Sequence, residues 1–144
     1  MKYIPGICLA VGASLIAFAA GPPDDAEAVQ GNWKPASAEL AGQPMPEAIL
    51  KVISLKLDHG RYEVSVGGQP DRGTYTLDSA AKPKGMTITG TEGPNKGRVF
   101  PAIYDITGDK LRICYDLSGA KRPTEFKSIA GTKLYLVTYS RVKE

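Results

Sequence analysis

The sequence predicts an all-β fold: an eight-stranded antiparallel up-and-down barrel with one short helix after the first strand. Three observations carry that expectation. Beyond residue 30 the chain breaks into short runs in which apolar and polar residues alternate, the period of a strand with one buried face. Turn signals separate the runs at intervals of about 8–12 residues, the spacing of a sandwich or barrel. The β-branched and aromatic residues concentrate inside the runs. Short consecutive turns favour a meander, and closing a meander removes its unpaired edges.

The elements follow in order. Trp33 to Leu40 reads as the first strand, closed by Ala41-Gly42-Gln43. Pro44 to Val52 is the one helical candidate: Pro46 suits a first helical position, Glu47 the first turn, and Ala48, Ile49 and Leu50 are compatible with it. Ile53 to Leu57 and Arg61 to Val66 alternate around the turn Asp58-His59-Gly60. After Gly67-Gly68-Gln69-Pro70-Asp71 come Arg72 to Leu77 and Met86 to Thr89. A loop from Thr91 to Gly97 leads into Arg98 to Ile106, with Pro101 as an irregularity. Lys110 to Tyr115 and Lys133 to Arg141 complete the set. Alternation turns Ile53, Leu55, Leu57, Tyr62, Val64, Val66, Tyr75, Leu77, Met86, Ile88, Tyr104, Ile106, Leu111, Ile113 and Tyr115 inward, with Leu134 and Leu136 from the last run. The sixth and eighth runs leave Val99, Ile103 and Val137 open as alternatives.

The N-terminus sets the expected compartment. Lys2 precedes an apolar run from Ile7 to Ala20, Ala17-Phe18-Ala19 offers small residues for cleavage, and Gly21-Pro22-Pro23-Asp24-Asp25 breaks the run. That is the three-part pattern of a signal peptide over residues 1–20. A permanent anchor is the alternative, but the run falls short of the roughly 20 residues a span requires. Cys8 lies at the start of the run rather than just beyond it, which argues against a lipoprotein anchor. Residues 21–29, rich in Pro, Ala and acid, read as a flexible lead-in, and residues 30–144 as the barrel domain. The expected product is exported, periplasmic or secreted, without a permanent membrane anchor.

Charge and chemistry narrow the function by exclusion. Lys+Arg number 18 and Asp+Glu 15, spread without a dense basic stripe, so nucleic acid is a disfavoured partner. No metalloprotease, nucleophile-elbow, phosphate-loop or Cys-x-x-Cys motif is present, so no catalytic residue, metal ligand or cofactor is assigned. His59 reads as a turn residue and Gly93 to Gly97 as a plain hairpin loop. Cys114, the one cysteine left after leader removal, alternates with apolar neighbours and reads as a buried small hydrophobe, because no base is visible near it. Arg122-Pro123-Thr124-Glu125-Phe126 is open to two readings: a plug over the barrel mouth or base, with Arg122 pairing Glu125 and Phe126 buried, or a rim contact for a ligand head.

Gly31-Asn32-Trp33 before the first strand, with Arg141 at the end of the last, resembles the Gly-x-Trp motif of lipocalins and their barrel relatives. In that motif the Trp plugs the closed end and the Arg lies across the indole, a cation–π contact worth very roughly 0.5–2 kcal/mol. The mature chain further resembles a family of exported lipocalin-like domains abundant in planctomycete bacteria. The matching residues are Ser37-Ala38-Glu39, Gly42-Gln43-Pro44-Met45-Pro46, Pro83-Lys84, Glu92-Gly93-Pro94 with Lys96-Gly97, Ile103-Tyr104, Gly108-Asp109, Leu111, Cys114 and Arg122 to Phe126. Pro35 departs from the pattern and is expected at an edge or bulge, since it cannot donate to a ladder. The resemblance implies the fold and export but carries no activity. The resulting expectation is a non-enzymatic module binding a small hydrophobic or amphipathic ligand in the barrel, with Tyr62, Tyr75, Met86, Tyr104 and Tyr115 lining the site. The alternative is a structural or interaction module of the cell envelope, its barrel filled, acting through its loops.

Overall fold

The computed structural model describes residues 24–143, so the expected leader at residues 1–20 and the start of the lead-in lie outside the described residues. The strands are β1 (Gly31–Leu40), β2 (Gln43–Pro44), β3 (Ile53–Asp58), β4 (Arg61–Val66), β5 (Gln69–Asp78), β6 (Gly85–Glu92), β7 (Val99–Thr107), β8 (Lys110–Asp116) and β9 (Leu134–Arg141). Apart from the two-residue β2, which only folds back on β1, they pair in sequence order, and β1 also pairs with β9. All pairings are antiparallel, which makes a closed eight-stranded barrel. The helix expected within Pro44 to Val52 is α2 (Glu47–Leu50), with Pro46 one step earlier than expected, at the N-cap. Pro35 sits at a bulge, where the β1–β9 register steps between Pro35 and Ser37. A residue without an N–H can be accommodated there without costing a ladder bond.

The lead-in is structured over its described part, contrary to expectation. α1 (Asp25–Ala28) is capped by the Asp24 carboxylate, which accepts from the Ala26 N–H. A four-residue helix has no stability of its own, so tertiary contacts hold it. Val29 is fully buried, and its carbonyl accepts from the Trp33 indole N–H at 2.8 Å. The Asp25 carboxylate accepts from Lys84 Nζ at 2.8 Å and from the Tyr104 hydroxyl at 2.7 Å. This segment closes one end of the barrel.

The Gly-x-Trp arrangement takes the expected form at that end. Trp33 is fully buried, and the Arg141 guanidinium lies 4.2 Å from its ring centroid. Arg141 also donates to the carbonyls of Gln30 and Ala28 and to Asp109. Gly31 has φ +133, and a Cβ there would stand 2.7 Å from Arg141 Nη1. Only glycine meets both demands, the backbone conformation and the room for the guanidinium.

Asp25 gives this closed end a pH dependence. Burial alone would raise its carboxyl, but hydrogen bonds from Lys84 and Tyr104, with the Lys84 charge, outweigh it and hold the group below its ordinary 3.8. A lowered folded value means stability that is present above the ordinary carboxylate range and lost as the pH falls through the folded value. Asp25→Asn is therefore expected to cost about 1–2 kcal/mol at neutral pH, with the half-exposed lysine screened. The loss should shrink on acidification, as read from urea midpoints across the acid range.

Two further placements correct the sequence reading. In β9 the inward residues are Tyr135, Val137 and Tyr139, while Leu134 and Leu136 point outward, because the register is one residue away from that expected. The Arg122 to Phe126 stretch does not plug the mouth or the base; it straps across the outer wall. Arg122 donates to the carbonyls of Met86 and Ala102 and to Thr87 Oγ1, and does not pair with Glu125, whose partner is Lys127. Phe126 lies beneath the Arg112 guanidinium, 3.9 Å from ring centroid to carbon. The Cys114 thiol is fully buried and donates to the Lys127 carbonyl at 3.5 Å, a small hydrophobe under the strap as expected. Burial pushes its thiol up, away from the thiolate.

Candidate functional site

The closed half of the barrel is solid. Trp33, Tyr104, Leu111, Val29 and Val137 are fully buried and fill it. The other half is hollow. A cavity of about 210 Å³ opens toward the ends of β4, β6 and β8, with a mainly apolar lining that includes Leu55, Val64, Ile88, Phe100, Ile113 and Leu117. It is larger than the ~150 Å³ engineered cavity that stays dry and takes up benzene. The space suits one ring or a short chain.

Four of the five expected site residues line it: Tyr62, Tyr75, Met86 and Tyr115. Tyr104 does not. Although it faces inward, it lies in the solid half with its hydroxyl on Asp25, so it is part of the plug. Burial, and then the bond to Asp25, push its hydroxyl pKa up. The site also contains residues the sequence reading missed: Asp71, Asn95, Phe100, Tyr135 and Tyr139.

These residues build a polar patch within an apolar chamber. The Tyr115 and Tyr139 hydroxyls bond each other at 3.0 Å in full burial, and the Tyr115 ring stacks on Tyr135 with centroids 5.6 Å apart. Burial raises the pKa of both bonded phenols, so they remain neutral hydrogen-bonding groups through the physiological range. Asn95 Nδ2 donates to Asp71 Oδ2 at 2.6 Å. Asp71 Oδ1 and the Tyr62 hydroxyl are buried without a partner. Burial and the nearby Asp71 charge push the Tyr62 hydroxyl up to about 12.

Glycines position this patch. Tyr62 stands opposite Gly73 in the β4–β5 ladder, and a Cβ at Gly73 would lie 2.6 Å from the Tyr62 ring. Gly90, in β6, lets the loop after it fold inward: a Cβ there would lie 2.0 Å from the Asn95 carbonyl oxygen. The Gly93 to Gly97 loop is thus a wall of the chamber, beyond the plain hairpin connection expected.

The remaining candidates stay outside the chamber. His59 is exposed in its turn, in contact with the neighbouring Asp58 carboxylate. Among the described residues, no group of three or more His, Cys, Asp or Glu is placed to hold a metal ion. No known protein family matches the chain. No curated protein matches it, and no solved structure does.

Proposed function

We propose that this chain is an exported, non-enzymatic, lipocalin-like binding module that takes one small apolar or amphipathic molecule into the open half of its barrel. The observation that carries this reading is the half-filled interior. One half is packed solid by the Trp33 plug, whereas the other keeps an apolar chamber of about 210 Å³. A protein interior of ordinary density leaves few voids larger than a water molecule. A retained chamber with a few polar groups is the form a ligand site takes. The signal-peptide pattern of residues 1–20 supports export, to the periplasm or the medium. Kinship with the planctomycete lipocalin-like domains rests on the matching residues given above.

The test is a nuclear magnetic resonance titration with hexanol, comparing the parent with Val64→Phe. Val64 lines the chamber, and a phenyl group there occupies its space. Filling a real cavity commonly adds about 0.5–2 kcal/mol. The parent should show saturable shifts confined to chamber residues. Val64→Phe should fold at least as stably and lose those shifts. A parent whose chamber residues do not respond would overturn the reading.

A further inference from the structure

We infer that the ligand carries a protonated amine, held between Asp71 and Tyr62; this rests on the chamber being a ligand site and adds the chemistry of the head group. Asp71 occupies the inward phase of β5, two steps from Gly73 and four from Tyr75. One of its oxygens accepts from Asn95, which fixes the carboxylate plane. The other, Oδ1, is buried and unpartnered, as is the Tyr62 hydroxyl. Among the described residues Asp71 enters no ion pair. Its neighbour Arg72 faces outward, between Glu63 and Glu92.

A buried donor or acceptor left unmade costs its full desolvation, and a charged one costs more. Two such groups on one chamber wall are therefore kept against stability. An ammonium group answers both. One N–H donates to Asp71 Oδ1, another to the Tyr62 oxygen, and the positive charge compensates the carboxylate. An alcohol can donate to Asp71 Oδ1 and accept from the Tyr62 O–H, but it brings no charge to compensate the carboxylate. A carboxylate would meet Asp71 as a like charge. The hydrocarbon part then lies against Val64, Ile88, Phe100 and Ile113.

The experiment is calorimetric titration of the processed chain with hexylamine, hexanol and hexanoic acid, three heads on one tail. The variants are Asp71→Asn and Tyr62→Phe. Hexylamine should bind the parent at least tenfold more tightly than hexanol, and hexanoic acid should bind least. Asp71→Asn should abolish the amine preference while retaining hexanol, and should raise the melting temperature of the free protein. Tyr62→Phe should reduce the preference in part. If amine and alcohol bind alike in the parent, or if Asp71→Asn keeps the preference, the amine assignment is wrong and the chamber stands as a purely apolar site. If none of the three binds, the chamber reading falls with it.

Discussion

Trp33→Ala is expected to destabilise the barrel by about 3–5 kcal/mol, the range of buried Trp truncations. The indole is fully buried at the closed end, its N–H is bonded to the Val29 carbonyl, and the Arg141 guanidinium covers its face. Truncation leaves a cavity, frees a buried carbonyl and strips Arg141 of the ring it stacks on. It also removes one of the contacts that hold α1, leaving the Asp25 bonds to Lys84 and Tyr104 and the Arg141 bond to the Ala28 carbonyl. Against a total stability of about 5–15 kcal/mol for a domain, the loss is a large fraction. Arg141→Ala should cost less, because the indole stays packed. Urea denaturation followed by circular dichroism reads both. A Trp33→Ala midpoint equal to the parent's would mean that the plug is not what closes the barrel.

Gly73→Ala should cost about 3 kcal/mol, toward the upper end of overpacking penalties, for a change of one methyl group. A Cβ there would sit 2.0 Å from the Thr89 carbonyl oxygen and 2.6 Å from the Tyr62 ring. The oxygen belongs to the β6 backbone and has no rotamer by which to move, so β5 and β6 must part, and Tyr62 must shift as well. The β5–β6 register steps between Arg72 and Gly73, so this pairing is already irregular. Thr74→Ala, at the next, outward-facing position, serves as the control and should stay within about 0.5 kcal/mol. Equal midpoints for Gly73→Ala and Thr74→Ala would show that the close approach is not a constraint.

The barrel was legible because its signals are local and repeated. Alternation from Ile53 to Leu57 and from Arg61 to Val66 sets the inward face of β3 and β4, and the turns between them require no long-range information. Gly31, Trp33 and Arg141 were legible as a constellation. For the last strand, alternation favours Leu134 and Leu136, with Val137 left open, because the two leucines carry the stronger hydrophobic signal; the inward set is the other one. The outward set continues through Thr138 and Ser140, whereas Tyr135, Val137 and Tyr139 form an unbroken apolar set, which is the evidence that could have corrected it. The lead-in looked like a polar tail, since nothing local says that Asp25 will meet Lys84 and Tyr104 across the base.

The candidate site was half legible for the same reason. Tyr62, Tyr75, Met86 and Tyr115 followed from alternation alone. Asp71 ends Gly67-Gly68-Gln69-Pro70-Asp71, whose glycines and proline are turn signals, although β5 begins two residues earlier and carries it inward. Asn95 reaches the chamber only because its loop crosses Gly90, a tertiary event without a sequence period. The strap was misplaced because Arg122 takes carbonyls of distant strands instead of the nearby Glu125.

The most direct test of the central claim, a half-hollow barrel that carries a small molecule, is native mass spectrometry of the chain produced in a bacterial host and gently purified. The expected result is one adduct per chain, roughly one to two hundred daltons for a chamber of this size, lost on denaturation and absent from Val64→Phe. A parent that stays bare both as purified and after incubation with hexylamine and hexanol would contradict the carrier reading and send the search for function to the loops and the outer wall.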